Sequence, residues 1–580
     1  EASIDLMIDC TEPSITLDYE EGLPKHDKYF SDPRTAYLRI QERNFQSQNL
    51  ELHIKYQYVD EQYSGKADSE KGVKTVDKTL NIDQWISETY TGNDFLKISF
   101  VQDSQAGTEE KNYTDERCIE YKLEFLSDAE YEILSIQCTD KAGITTEGAE
   151  SSDKAPYSFV IDQSVPDYAN ITIGKENWIN QFFDTITFHL FSNEDVQVAM
   201  EAKDKDSPVE RIEYIRAPKG MTEKELDAET GWETIGTTMP NSNMAEGKLT
   251  VEPNEQFVIY TKITNYAGLM AYYSSDGQIV DDVEGNITIT ETNRPDDGVY
   301  KSDAILKIHV EDPHVDGNNG GTYSGIEKVE YRIIARGNMA VDSGWITLEE
   351  RSEKVQNSEP VEKNITISAE TYNSNDVTVY VRAWDFAGNI TEEGQELPET
   401  NKIELAFDTT EPYVSIEYDK NDATHNQYFD EIRTGTVTFR ERNFVPAYTS
   451  ISLEATDVNG TVLSEGEYTF EELENVAVNS GKILDGYVSI QKISDTEVQR
   501  EFKAFSDQRE ITYQFVFEGD ANYQIRSINI TDLAHNETIA SSETDSSYVT
   551  TNNNIAPYEF TVDKTAPMEG SVEVHGQHAV

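Results

Sequence analysis

Cysteine and basic residues are scarce in this chain, and each shortage excludes a class of protein. Only three cysteines occur in 580 residues, too few for a disulfide-stabilised scaffold or for a zinc site built from several thiolates. Lys and Arg number 47 against 110 Asp and Glu, which gives a formal net charge of −63. Such a charge disfavours binding to nucleic acids or anionic membranes, because both are polyanions.

Long apolar runs and catalytic signatures are missing as well. No stretch approaches the roughly 18 apolar residues of a membrane-spanning helix, so we expect no membrane insertion. The nine histidines include no HExxH motif, and there is no P-loop, no GxGxxG after a strand and no CxxC. The sequence therefore predicts a protein that is not an enzyme. Because the chain begins at Glu1 without an apolar leader, we expect it to be a piece of a longer protein.

A repeated junction is the most informative feature that is present. Five times an acid is followed four residues later by a proline: Asp9–Pro13, Asp162–Pro166, Glu291–Pro295, Asp408–Pro412 and Asp563–Pro567. Alternating apolar residues before most of these acids are typical of a half-buried strand, and the proline ends that strand. The expected domains are 10–162, 163–291, 292–408 and 409–563. Residues 1–9 would end a preceding domain or form a leader strand, and 564–580 would begin another domain or a linker.

Two kinds of domain occur, in the order A–B–B′–A. The sequence ERNF at 42–45 recurs at 441–444, so the first and fourth domains form one type, A. The segment 207–214 resembles 324–331, which relates the second and third domains as types B and B′. Tyr131 and Tyr523 stand where a tyrosine corner opens a late strand of an immunoglobulin-type sandwich. The sequence thus predicts an all-β fold of four tandem immunoglobulin-like or fibronectin-like sandwiches in an elongated rod, with a fragment of a fifth.

The ERNF segments, the SGIxxVEYR…W…VRAxDxAGN pattern and the DxTxP junctions resemble the tandem bacterial immunoglobulin-like domains of large Gram-positive (Firmicutes) surface proteins. The resemblance covers almost the whole chain. It implies an extracellular protein, anchored to the cell wall through regions outside this sequence. Similar arrays on gut commensals include immunoglobulin-binding, superantigen-like proteins.

Calcium is the candidate cofactor. In a sandwich of this kind the incoming linker, the end of an early strand and the turn after a late strand meet at one pole, so three acids would converge there. The candidate ligands are Asp9, Glu42 and Asp140 in the first domain, Glu291, Asp312 and Asp385 in the third, and Asp408, Glu441 and Asp532 in the fourth. The second domain offers Asp162 and Glu194 with a neutral Asn265. Carboxylate oxygens suit Ca²⁺; the alternative is that the linker acids cap turns while Glu42 and Glu441 pair with nearby arginines.

The sequence favours neither of two possible covalent cross-links. Cys118 is out of phase with the apolar face of its strand, whereas Cys138 is in phase, so a disulfide between them is not favoured. Cys10 has no evident partner. An intramolecular Lys–Asn isopeptide bond would need a buried acid beside both residues, and no such trio can be placed.

The sequence favours a non-catalytic surface adhesin that binds a host protein, with secreted immunoglobulin the first candidate. Exposed tyrosines are the expected anchors, and Tyr56, Tyr58, Tyr63, Tyr272 and Tyr273 are candidates. The alternatives are a passive stalk that projects a distal domain and an accessory region of an extracellular carbohydrate-active enzyme. The chain is expected to be a monomer.

Overall fold

The structure is a computed structural model that describes residues 7–20, 22–60, 72–89, 94–148, 150–151, 158–183, 185–239, 242–313, 324–337, 340–352, 359–420, 422–479, 481–541, 559–568 and 570. Strands make up 54% of it and helices 7%, arranged as β-sandwiches repeated in tandem. This confirms the predicted all-β class. The described residues form four sandwiches, the first two in one compact unit and the last two in another.

The first sandwich has one helix, α1 (Ile82–Thr89). Its strands are β1 (Ser14–Tyr19), β2 (Tyr29–Phe30), β3 (Arg34–Gln41), β4 (Leu50–Val59), β5 (Val73–Asn81), β6 (Leu96–Asp103), β7 (Cys118–Phe125), β8 (Ala129–Thr139), β9 (Thr145–Glu147), β10 (Glu150–Ser151) and β11 (Ser158–Ile161). One sheet has the order β10-β1-β3-β7-β6. The other has the order β2-β11-β8-β4-β5, with β9 paired to β8.

The second sandwich contains α2 (Glu223–Ala228). Its strands are β12 (Tyr168–Ile173), β13 (Glu176–Ile179), β14 (Leu190–Ser192), β15 (Val196–Lys203), β16 (Val209–Ala217), β17 (Glu233–Thr237), β18 (Met244–Val251), β19 (Glu255–Asn265), β20 (Met270–Ser274) and β21 (Gln278–Val280). The sheets are β13-β12-β15-β18 and β14-β21-β19-β16-β17, with β20 on β19.

The third sandwich contains no α-helix among its described residues. Its strands are β22 (Asn286–Glu291), β23 (Val299–Tyr300), β24 (Ala304–Glu311), β25 (Ile326–Arg336), β26 (Val341–Asp342), β27 (Ile346–Glu350), β28 (Val361–Ile367), β29 (Asp376–Asp385) and β30 (Lys402–Phe407). The sheets are β22-β24-β28 and β23-β30-β29-β25-β26, with β27 on β25.

The fourth sandwich repeats the layout of the first and contains α3 (Phe470–Asn479). Its strands are β31 (Tyr413–Tyr418), β32 (Tyr428–Phe429), β33 (Arg433–Arg440), β34 (Phe444–Thr456), β35 (Val462–Thr469), β36 (Lys482–Ile483), β37 (Val488–Asp495), β38 (Glu510–Phe517), β39 (Ala521–Asp532), β40 (Glu537–Ser541) and β41 (Glu559–Val562). The sheets are β31-β33-β38-β37-β36 and β32-β41-β39-β34-β35, with β40 on β39.

Alternation along the strands builds a separate core in each sandwich. On β7 the buried residues Ile119, Tyr121, Leu123 and Phe125 alternate with more exposed polar ones for most of the strand, as a period of two requires. The equivalent β38 repeats the pattern. None of the described helices is long and apolar enough to cross a membrane.

One expected boundary is wrong. The proline pattern predicts Asn286–Glu291 as part of the second domain (163–291), yet this segment forms β22 and pairs antiparallel with β24 of the third sandwich. The last strand of the second sandwich ends at Val280, so the boundary lies between Val280 and Asn286. Ile287 and Ile289 both pack against the core of the third sandwich. This segment is therefore the first strand of the third sandwich and not the last strand of the second.

The tyrosine corner is present in both A-type sandwiches. The Tyr131 hydroxyl lies 2.8 Å from the carbonyl oxygen of Ser127 and 3.0 Å from that of Phe95. The Tyr523 hydroxyl lies 2.8 Å from the carbonyl oxygen of Gly519. Each hydroxyl therefore fastens the start of its strand to the preceding loop.

We expect Tyr131→Phe to lower the free energy of unfolding of the first sandwich by about 1 kcal/mol. The ring is kept, but the part-buried carbonyl of Ser127 loses the hydroxyl donor and that of Phe95 keeps only the N–H of Leu126. Denaturant titration of the full chain, with hydrogen exchange to localise the change, measures it. The matched variant Tyr523→Phe should give the same loss in the fourth sandwich. Unchanged exchange around residue 131 would contradict a stabilising role for the hydroxyl.

Candidate metal centre at the domain junctions

Three polar positions recur at one pole of the sandwiches. The first is the linker acid before each sandwich. The second is the residue directly after an early strand: Glu42, Asp204, Asp312 and Glu441. The third opens the turn after a late strand: Asp140, Asn265, Asp385 and Asp532. At each of these turn positions the backbone N–H donates to the carbonyl of the fourth following residue. The four side chains therefore occupy equivalent positions in turns of the same kind.

The first junction brings Asp9, Glu42 and Asp140 together, as the sequence suggested. One carboxylate oxygen from each lies within 4.8 Å of the others. Arg43 Nη2 lies 3.0 Å from Asp9 Oδ1 and holds the pKa of Asp9 well below its usual range. Glu42 Oε1 accepts the N–H of Asn44 at 2.6 Å. Burial raises the pKa of Glu42, and the charges of Asp9 and Asp140 act in the same direction.

Asp140 is the most unusual member of this group. Its side chain is 2% exposed, and Oδ1 accepts the N–H of Ile144 at 2.8 Å. Its other oxygen, Oδ2, is buried without a hydrogen-bond partner. Buried carboxylate oxygens are nearly always paired, so this atom requires an explanation.

The second junction corrects the choice of Glu194. That residue lies in an exposed turn before β15, whereas Asp204, directly after β15, holds the position of Glu42. Asn265 Nδ2 donates to Asp162 Oδ2 at 2.8 Å and to Asp204 Oδ2 at 3.1 Å. Burial raises the pKa of both acids, and for Asp204 the neighbouring Asp162 adds to the rise. An amide therefore bridges the two acids here.

The third-domain candidates do not form the expected trio. Glu291 lies on β22, where it accepts hydrogen bonds from Arg294 (2.8 Å) and Tyr300 (2.6 Å). Asp312 and Asp385 do approach each other, with oxygens within 4.8 Å. The linker acid equivalent to Asp162 is Asp281, whose N–H donates to Ser192 O at 2.8 Å as that of Asp162 donates to Phe30 O at 3.0 Å. The proline pattern selected Glu291 because Asp281 has no proline four residues later.

The fourth junction brings Asp408, Glu441 and Asp532 within the same 4.8 Å limit. Arg442 Nη2 lies 3.0 Å from Asp408 Oδ1, and both side chains are buried. Asp532 has a donor on each oxygen, because the N–H and Nδ2 of Asn536 both lie 2.8 Å away. Burial, with the charges of Asp408 and Asp532, raises the pKa of Glu441 to about 9.

The alternative interpretation is that the linker acids cap turns and that Glu42 and Glu441 pair with arginines. The linker acids do cap turns, but they are also the acids that pair with the arginines. Asp9 and Asp408 accept N–H groups two residues ahead, from Thr11 and Thr410, each at 3.0 Å. The ERNF arginines pair with these linker acids and not with Glu42 or Glu441. At the first and fourth junctions, the linker acid therefore caps a turn and also lies close to two other acids.

The cysteines lie apart in the fold. Cys118 is on β7 of one sheet and buried Cys138 is on β8 of the other, while Cys10 is exposed. All three are free thiols.

No protein-family model matches the chain, and no curated protein matches it. One solved structure that matches is titled "Structures of Clostridium thermocellum CbhA fibronectin(III)-like modules". It is 13% identical, with 41% of this chain and 94% of that chain covered and a TM-score of 0.17. So low a score carries no argument, and the fold rests on the sheets described above.

Proposed function

We propose that the chain is a non-catalytic binding region of an extracellular, cell-wall-anchored surface protein, and that its first sandwich contacts a host protein. Secreted immunoglobulin is the first candidate partner. The observation that supports this is an exposed apolar sheet edge on β6, next to a groove partly lined by aromatic side chains.

Strand β6 is the outermost strand of its sheet among the described residues. Phe100 is 55% exposed and Val101 is 43% exposed on it. Edge strands with free backbone groups can accept a strand from a partner. Because immunoglobulin domains are themselves sandwiches with sheet edges, edge-to-edge pairing is the contact that this surface favours.

A groove of about 540 Å³ lies beside this edge. Phe45, Tyr113 and Tyr121 line it together with Phe100. Arg117 stacks over Tyr113 at 3.9 Å and pairs with Asp103 at 2.8 Å. Aromatic and arginine side chains are the usual anchors of protein interfaces, so the groove extends the surface offered by the strand.

The tyrosines chosen from the sequence do not form this surface. Tyr56 is buried, and Tyr58 is half-buried against Phe95. Tyr272 and Tyr273 are half-buried, with hydroxyls bonded to Asp227 and Pro166. Tyr63 lies outside the described residues.

The fourth sandwich supplies a control for the proposal. Lys492 stands opposite Tyr513 as Phe100 stands opposite Tyr121, and it pairs with Glu474 at 2.9 Å. Strand β36 also covers the first part of β37. Phe100→Lys therefore gives the first sandwich the lysine that the fourth sandwich has at the equivalent position, Lys492.

We expect Phe100→Lys to weaken binding of purified secreted immunoglobulin to the immobilised full chain at least tenfold, because a central aromatic anchor is commonly worth about 2 kcal/mol or more. Biolayer interferometry measures the change. The matched variant Ile493→Lys, at the equivalent of Val101 in the fourth sandwich, should leave affinity unchanged. Equal binding by wild type and Phe100→Lys would show that β6 is not part of the interface.

A passive stalk is the second candidate, and contacts between neighbouring sandwiches favour it. In the first unit the His26 ring stacks on Tyr266 with centroids 4.0 Å apart, and Tyr29 meets the same ring edge-on. In the second unit Asn443 and Asn375 exchange side-chain hydrogen bonds. Such contacts hold adjacent sandwiches in a fixed relation. A stalk would retain no immunoglobulin in the same measurement.

A further inference from the structure

We propose that the first junction binds a calcium ion through Asp9, Glu42 and Asp140, whereas at the second and fourth junctions an asparagine amide donates to the corresponding acids. This goes beyond the proposed binding role, because it concerns how one sandwich is stabilised at its pole.

The unpartnered oxygen of Asp140 is the first step of the argument. Asp140 is 2% exposed, and its Oδ2 has no hydrogen-bond partner. Leaving such an atom unpaired costs the full desolvation free energy of the group. Oxygens of Asp9 and Glu42 lie within 4.8 Å in the same group. A cation among the three would satisfy the unpaired oxygen and offset the repulsion between the carboxylates.

The charge of the group is the second step. Arg43 pairs with Asp9 at 3.0 Å and also with Asp115 at 3.2 Å, so it offsets at most one of the three carboxylates and leaves at least two negative charges. Arg117, the neighbouring guanidinium, is already engaged with Asp103 and with the carbonyl of Arg43. The remaining charge therefore matches a divalent ion.

The turn sequence explains why this junction differs from the fourth. Asn536 follows Asp532 by four residues, and its Nδ2 donates to the second carboxylate oxygen at 2.8 Å. Asn389 does the same for Asp385 at 2.8 Å. The first sandwich has Ile144 at this position, which offers only its backbone N–H. The oxygen that an asparagine covers elsewhere is thus left for a metal.

The second junction shows the other way to dispense with a cation. Asn265 takes the place of Asp140, and its Nδ2 donates to both Asp162 and Asp204. The amide removes one negative charge and donates to both remaining acids, which also accept hydrogen bonds from Ser164 and Ser207. Asp140→Asn would therefore convert the first junction to the arrangement of the second.

Calcium suits the first junction better than magnesium. The donors come from three separate segments and are all carboxylate oxygens. Ca²⁺ accepts six to eight oxygens in flexible geometry, whereas Mg²⁺ requires a near-ideal octahedron and retains its water. We expect the remaining ligands to be water and backbone carbonyls.

The test is calorimetric titration of the EDTA-treated full chain with CaCl₂ and, separately, with MgCl₂. Wild type should bind one Ca²⁺ more than Asp140→Asn. Ile144→Asn, which supplies the missing amide, should weaken that binding at least tenfold. Saturating Ca²⁺ should raise the first-sandwich melting temperature of wild type on the order of 10 °C, and leave that of Asp140→Asn unchanged.

Glu51→Gln is the matched control, because it removes one exposed acid from the same sandwich and should bind Ca²⁺ as wild type does. Ile144→Asn keeps every carboxylate, so it decides the question even if Asp140→Asn fails to fold. Equal calcium stoichiometry in wild type and Asp140→Asn would overturn the proposal. An equal affinity for Mg²⁺ would overturn the assignment to calcium.

Discussion

Arg442→Met is expected to lower the free energy of unfolding of the fourth sandwich by about 3–5 kcal/mol, the usual cost of leaving a buried charge uncompensated. Arg442 is 4% exposed and Asp408 is fully buried, with Arg442 Nη2 and Asp408 Oδ1 3.0 Å apart. The same Nη2 donates to the carbonyl of Phe407 at 2.8 Å. Methionine keeps most of the volume but none of these donors. Denaturant titration, with hydrogen exchange at residues 402–408, measures the loss.

Arg43→Met is the matched change in the first sandwich, at the same place in the ERNF repeat. Arg43 is 28% exposed, so water and salt screen its pair with Asp9, and the expected loss is clearly smaller than that of Arg442→Met. The comparison isolates burial, because the two arginines share sequence context and partner type. Equal losses in the two variants would show that burial of the pair does not set its contribution.

Glu441→Gln is expected to make the fourth sandwich more stable at pH 8, while leaving it nearly unchanged at pH 4. Burial, together with the charges of Asp408 and Asp532, raises the pKa of Glu441 to about 9 against the opposing effects of Arg442 and the Asn443 N–H. The folded chain therefore keeps a proton that the unfolded chain loses above its ordinary pKa near 4.5. Glutamine needs no proton, so it removes this linkage.

The sign follows from the proton count. Between about pH 4.5 and 9 the unfolded state binds fewer protons at Glu441, so stability falls with rising pH by up to about 1.4 kcal/mol per pH unit. Unfolding midpoints of wild type and Glu441→Gln at pH 4, 6 and 8 test this. The two curves should separate steadily as pH rises. Parallel curves would mean that Glu441 is ionised in the folded protein.

The sequence predicted the features that depend on local pattern. Alternation gave the strands, and repeated ERNF and tyrosine segments related the first and fourth sandwiches. The sequence also predicted that Asp9, Glu42 and Asp140 meet at one pole, because the ends of strands and the turns between them have fixed places in a sandwich. Whether an ion binds there remains a prediction.

The sequence missed features that depend on pairing between distant residues. The sequence prediction names Glu194 and not Asp204, although Asp204 directly follows an alternating strand, which is the signal that identifies it. It names Glu291 and not Asp281, because only Glu291 has a proline four residues later. Helices α1 and α3 are only 8 and 10 residues long, too short for a clear period, and their place is fixed by packing of Trp85 and Phe470 into the cores.

The role of the unpaired oxygen on Asp140 could not be read from sequence either. It depends on what stands four residues later, where Ile144 replaces the asparagine of the other acidic turns. The exposure of Phe100 likewise follows from β6 being the outermost strand, which pairing order decides and composition does not.

The pairing of the first and last strands governs how the first sandwich carries mechanical load. In the first sandwich β2 and β11 run parallel, and the N–H of Val160 and Asp162 donate to Lys28 and Phe30. The chain enters this sandwich at β1, which pairs with β3 and β10 in one sheet, and leaves at β11, which pairs with β2 and β8 in the other. A pull directed along these two strands stretches the hydrogen bonds to their neighbours together, in shear, instead of opening them one after another.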